Sequence, residues 1–219
     1  MKKLLLIITV LTACTFTASA QRARSSSSSF FSTEKADAPI TFGIRGGLNL
    51  AYMKVKEGHV SNTGDTRTSF NAGVSVDIPL LQSIYLQSGL YYTSKGTKYK
   101  GDDWKEATSA NYLEIPVLAS YRYDFGDAAQ LQFNVGPYFA YGIGGKYKEE
   151  DGDEEYSSDF FDEDTKKFDM GLQVGGGVTI SKHYYIGAAF EWGFTNLWKD
   201  ADDESLKTRN FMINIGYTF

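Results

Sequence analysis

Eight times between Ile40 and Phe219 the chain alternates apolar with polar or small residues at a period of two. No Asp, Glu, Lys or Arg falls on any of the eight apolar faces. A two-residue period sends successive side chains to opposite sides of a strand. The last run is the plainest. Phe211, Ile213, Ile215, Tyr217 and Phe219 share one side, and Met212, Asn214, Gly216 and Thr218 the other. A soluble domain seldom shows such an apolar edge to water, because it invites aggregation.

Alternation alone does not say which face points outward. A lipocalin-like barrel has the same period with its apolar face inside. Three features favour lipid outside. The polar faces carry many glycines, among them Gly43, Gly47, Gly73, Gly136, Gly171 and Gly216. Small residues suit the crowded interior of a narrow barrel. The apolar faces begin and end in aromatics. Tyr52, Phe70, Tyr92, Tyr141, Phe168, Phe194 and Phe211 mark one rim, and Phe42, Tyr123, Tyr184, Tyr217 and Phe219 the other. Paired aromatic belts are an interfacial feature. The connections also alternate in length. Pro79 to Ser83, Asp124 to Ala129 and Ser181 to His183 are short. Lys54 to Thr68, Gly96 to Thr108, Gly144 to Lys167 and Asn196 to Lys207 are long and polar.

The expected fold is therefore all-β: one eight-stranded antiparallel up-and-down transmembrane β-barrel over residues 40–219, in a Gram-negative cell outer membrane. An even strand count puts both termini on the periplasmic side. The final strand, ending in Tyr217 and Phe219, resembles the signal by which barrel-assembly machinery selects its clients. A mean hydropathy of -0.31 excludes only a helical membrane protein, since a barrel strand needs lipid-facing residues at every second position. The net charge of -5 comes without a basic stripe, so nucleic acid is not an expected partner.

Ahead of the barrel, residues 1–20 read as an export signal. Lys2 and Lys3 precede an apolar centre from Leu4 to Leu11, and Ala18-Ser19-Ala20 form the cleavage site. A second reading stays open: Leu11-Thr12-Ala13-Cys14 resembles a lipoprotein box, in which Cys14 would be lipidated. Residues 21–39, with the serine run Ser25 to Ser29, read as a disordered periplasmic linker. Cleavage after Ala20 removes the only Cys, so no disulfide is expected.

Pro116 and Pro137 interrupt ideal strands, and each predicts a bulge or local break. Around them lie Asn111-Tyr112-Leu113-Glu114-Ile115-Pro116, Asn134-Val135-Gly136-Pro137-Tyr138 and Asp169-Met170-Gly171-Leu172 with Gly175 and Gly177. These segments resemble the PorT-like outer-membrane β-barrel family over roughly Ile40 to Phe219. The resemblance implies the barrel fold. One branch of that family is tied to protein secretion, and no residue here marks that branch.

Three readings of function follow. Arg45, Asp77, Lys95, Glu114, Arg122, Asp169 and Glu191 fall on polar faces with both signs present. An eight-strand barrel is barely wide enough for its own side chains, so these seven are expected to form an interior charge network. That reading gives a non-enzymatic structural or interaction protein presenting four polar external loops. A small porin-like channel is the alternative. An outer-membrane enzyme is the third, and it would need His59, near Ser61 and Asp65, because His183 is expected in a periplasmic turn. No nucleophile motif surrounds His59. No catalytic residue, cofactor or metal site is expected. The acidic stretch Lys146 to Lys167 lacks calcium-loop spacing and reads as a solvated loop. Expected partners are outer-membrane lipid and lipopolysaccharide, the assembly machinery, and a protein at the external loops. Trp104 and Trp198 are candidate anchors there.

Overall fold

The computed structural model describes residues 38–58, 60–101, 104–126, 128–152, 154–199 and 204–219. The export signal, Cys14, most of the linker, His59, Asp153, Asp200, Asp202 and Asp203 lie outside the described residues. Ten strands follow one another: β1 (Thr41–Glu57), β2 (Val60–Thr63), β3 (Asp65–Leu81), β4 (Ile84–Lys100), β5 (Trp104–Phe125), β6 (Ala129–Asp151), β7 (Glu154–Asp159), β8 (Phe168–Ile180), β9 (Tyr184–Gly193) and β10 (Glu204–Thr218).

Eight of them close a ring. The order is β1, β3, β4, β5, β6, β8, β9, β10, and β10 pairs back with β1. Every neighbouring pair is antiparallel. Closure leaves none of the eight ring strands as a sheet edge, which a membrane requires because lipid offers no hydrogen-bond partner. The short strands β2 and β7 stand off the ring, paired with β1 and β6.

Parity places the side chains as the alternation requires. Phe42 is 61% exposed, Phe133 55% and Ile213 46%, whereas Asn49, Lys95, Ser120 and Asp169 are 0% exposed. An apolar face of this extent in contact with water would be a strong aggregation surface, and in contact with hydrocarbon it is at equilibrium. The glycines are largely a consequence of closure. At Gly47 an added Cβ would meet the Ile213 carbonyl oxygen and Asn214, and at Gly171 it would meet the Trp192 carbonyl oxygen and Tyr138.

The structure differs from the sequence reading at the long connections. Three are hairpins that continue the ring strands rather than loops. β1 runs to Glu57 and turns at Gly58 (φ 55°), and β6 runs to Asp151 and turns at Gly152 (φ 57°). β4 and β5 pair as far as Lys100 and Lys105. Beyond the bilayer neither face must be apolar, so the two-residue signal fades while backbone pairing persists. Pro116 and Pro137 interrupt pairing without shifting it. The β4–β5 ladder is broken between the Ser88–Val117 and Tyr91–Glu114 partners and resumes in register. The β5–β6 bulge lies elsewhere, at Asn111 and Tyr112.

Candidate functional site

The candidate site is the barrel interior, and it is layered. The seven charges expected to line it all lie inside. Near the short turns, Asp77 accepts a hydrogen bond from Gln87 and is ion-paired with two guanidiniums. Arg122 Nη2 lies 2.7 Å from Oδ1, Gln87 Nε2 donates to Oδ1 at 2.7 Å, and Arg45 Nη2 lies 3.8 Å from Oδ2. Arg45 also donates to Gln87 Oε1 at 3.1 Å. The two guanidiniums sit over tyrosine rings, Arg45 over Tyr185 and Arg122 over Tyr85, each at 4.2 Å. Such stacking suits a weakly hydrated planar cation in a confined space. Below this layer an open cup of about 630 Å³ faces the short-turn end, lined in part by Arg45, Asp77, Tyr85 and Arg122.

The next layer is neutral. Asn71 donates to Asn49 Oδ1 at 2.7 Å and to Asn214 Oδ1 at 3.0 Å, and Asn49 donates to Thr93 Oγ1 at 2.9 Å. A cavity of about 40 Å³ lies at this layer, lined by Asn71, Thr93 and Asn214 among others. A water needs roughly 10–15 Å³, so the cavity has room for a few water molecules.

Lys95 holds the third layer. Its Nζ lies 2.8 Å from Glu114 Oε2 and 2.8 Å from Glu191 Oε2, and 4.1 Å from the centre of the Tyr138 ring. Asn210 donates to Glu191 Oε2 at 3.2 Å. Asp169 Oδ2 accepts from Thr208 at 2.7 Å and from Tyr138 at 3.2 Å. The layer thus has one ammonium among three carboxylates, and the Asp77 layer has two guanidiniums on one. Charges this deeply buried persist only when paired and hydrogen-bonded.

An apolar plug closes the long-loop end. Tyr112, Tyr138, Met53 and Ala110 form its floor. Phe160, Leu197 and Leu206 pack on it, joined by Phe161 and Trp198. Leu197 is fully buried. Trp198 bridges to Thr165, and Asn196 Oδ1 accepts from the amides of Trp198 and Leu206. The Lys146 to Lys167 segment was expected to be a solvated loop, and it is not one throughout. Its acidic part forms the β6–β7 hairpin, and Phe160-Phe161 turn back into the barrel mouth. That apolar pair inside an acidic run was the signal available in the sequence. Trp104 stays exposed on β5, so the two candidate tryptophan anchors have different surroundings. Tyr217 stacks on His183 at 5.2 Å, and His183 Nδ1 lies 2.7 Å from the Thr218 carbonyl oxygen. Tyr217 also meets Phe219 edge-on.

Outside the membrane, β4, β5 and β6 bring Tyr99, Glu106 and Glu149 into cross-strand register. Burial, and then the Glu149 charge, raise the Glu106 carboxyl above its ordinary value. The neighbouring Tyr147 phenol is pushed up to about 12 by burial and by the same two carboxylates.

A closed eight-strand ring with an apolar exterior, aromatic rims and a charge-paired interior defines a membrane-spanning β-barrel. Residues 20–199 match the outer membrane protein beta-barrel domain, and the chain belongs to that family of outer-membrane proteins. No curated protein matches the chain by sequence. Among solved structures the chain is similar to Ail, the attachment invasion locus protein of Yersinia pestis, at 16% identity, with 85% of this chain and 99% of that one covered and a TM-score of 0.39. Neisserial surface protein A is 13% identical, with 83% and 100% covered and a TM-score of 0.44. OprG from Pseudomonas aeruginosa is 14% identical, with 85% and 97% covered and a TM-score of 0.43.

Proposed function

We propose that this protein is a non-enzymatic interaction barrel: a filled scaffold that holds long hairpins on the outer surface of the cell, with both termini in the periplasm. The observation that carries this reading is occlusion. The Lys95 layer and the plug fill the lumen with side chains, so what remains to contact a partner is the long-loop end. Val60, Tyr156 and Trp104 are 64%, 62% and 43% exposed there, on strands that stand in water in this orientation. Exposed aromatics on a rigid hairpin are efficient binding anchors. We assign no catalytic role, and His183 serves as a packing partner of the last strand. The PorT-like resemblance of Asn111 to Pro116 and Asn134 to Tyr138 fits this reading, as does assembly-machinery recognition of a last strand that ends in Tyr217 and Phe219. The channel reading draws support from the open cup at the short-turn end. Planar-bilayer recording separates the two. The filled scaffold gives a silent membrane, and steady unitary currents that Leu197→Ala enlarges would replace it with a channel. Cross-linking from Tyr156→Cys in intact cells then identifies the partner.

A further inference from the structure

The outward faces of β1 and β10 change character abruptly at the long-loop end. Tyr52 and Phe211 belong to the aromatic rim. Beyond them the same face carries Lys54 and Lys56 on β1, and Lys207 with Arg209 on β10. Lys54 and Lys207 are direct cross-strand partners. Like charges in that relation destabilise a sheet. The flanking positions hold hydroxyls: Ser205 opposite Lys56 on one side, and Thr63 and Ser61 of β2 opposite Lys54 and Lys56 on the other. Among the described residues none of these four cations pairs with a carboxylate, and Arg209 Nη1 donates to the Gly193 and Thr208 carbonyl oxygens at 2.8 and 2.7 Å, which leaves Nη2 and Nε for a ligand. Glu57 and Glu204 lie at the strand tips with the parity of the opposite face. The other side of the barrel is different. There Lys105, Lys146 and Lys148 each have a carboxylate, Glu150, Asp159 and Glu155, at 3.4, 3.5 and 3.2 Å.

We propose that the β1–β10 patch is a binding site for the phosphate groups of a phosphorylated outer-leaflet glycolipid, lipopolysaccharide. A phosphate offers several acceptor oxygens to ammonium and guanidinium donors at once and relieves the Lys54–Lys207 repulsion. The height fits, since headgroups lie just beyond the aromatic rim. The hydroxyls on both flanks suit a sugar. This site rests on the reading above that the long-loop end faces outward.

The test uses the full barrel, refolded in detergent, with lipopolysaccharide, its dephosphorylated form, phosphatidylglycerol and inorganic phosphate as probes. Binding is read by native mass spectrometry. The wild type is expected to retain the phosphorylated glycolipid selectively. Replacing Lys54, Lys56, Lys207 and Arg209 by Ala is expected to weaken retention about tenfold or more. Removing Lys105, Lys146 and Lys148 is expected to change it by less than about twofold. The mobility difference between boiled and unboiled samples reports that each variant is folded. If the quadruple variant does not fold, the Lys54→Gln, Lys207→Gln pair is read the same way. Equal losses in the two sets, retention that survives dephosphorylation, or equal competition by phosphatidylglycerol or phosphate would overturn the site. Labelling of Tyr156→Cys in intact cells tests orientation separately. Absent labelling defeats the outward reading, and labelling without selective retention defeats only this site.

Discussion

Replacing Lys95 by Met tests the interior most directly. The side chain is fully buried, and Met keeps much of its volume while deleting the ammonium. Glu114 and Glu191, both 2.8 Å from Nζ, then face one another without a cation. Breaking a buried pair by removing one partner costs about 3–5 kcal/mol, because a stranded charge stays behind. The cation–π contact with Tyr138 at 4.1 Å is lost as well. For a urea dependence near 2 kcal/mol/M, that loss moves the unfolding midpoint down by about 2 M. The assay is urea titration in phospholipid vesicles, read by the gel mobility of unboiled samples and by tryptophan fluorescence. A triple variant, Lys95→Met with Glu114→Gln and Glu191→Gln, removes the stranded charges and is expected to recover to within about 1–2 kcal/mol of the wild type, since neutral replacement of a whole buried network is often tolerated. A Lys95→Met midpoint equal to the wild type would show that this layer is not held by charge. A triple variant as weak as the single one would show that the loss does not come from the stranded Glu114 and Glu191 charges.

Three further outcomes are expected. Ile213→Lys puts an ammonium on the lipid face and should cost about 2–4 kcal/mol near the bilayer midplane, whereas Asn214→Lys on the same strand should depart from that depth profile, and equal penalties across a lysine scan would refute the face assignment. Leu197→Ala empties a fully buried plug position and should cost about 2–5 kcal/mol, seen as protease cleavage between Phe160 and Lys167 before the barrel itself unfolds; an unchanged cleavage pattern would refute the docked loop. Glu106→Gln tests the aqueous hairpins. The folded state raises the Glu106 carboxyl, so its ionisation opposes folding, and stability falls as pH rises from the ordinary carboxylate value through the raised one. The variant should therefore be more stable at neutral pH, by less than about 1 kcal/mol in this half-exposed position, with the difference vanishing in acid; an opposite slope in a pH series of thermal melts would count against it.

The ring and its inside–outside sense could be read because lipid and lumen impose opposite demands at every second residue. Phe133 and Gln132, or Ile213 and Met212, separate on that basis alone. The seven interior charges were legible for the same reason. Their grouping was not. Which of Arg45 and Arg122 meets Asp77, and that Lys95 sits between Glu114 and Glu191, depends on strand register, which a two-residue pattern leaves free to slide by pairs. Asn49, Asn71 and Asn214 were visible as polar positions but not as a layer. The long-loop end was least legible. Beyond the rim the outward face meets water rather than lipid, so it no longer had to be apolar and the alternation weakened. The docking of Phe160 and Leu197 is a tertiary event between segments that lie far apart in the chain.

The closing contact has one more consequence. β1 and β10 share fifteen residue pairs, from Gly43 opposite Thr218 to Glu57 opposite Glu204, and five of them lie past the Tyr52–Arg209 rung. The clasp of the cylinder therefore reaches beyond the hydrocarbon into water. Unzipping it from the long-loop tip starts in solvent, and the Lys54–Lys207 rung is among the first it meets. An anion settled on that rung would act as a latch on the whole wall.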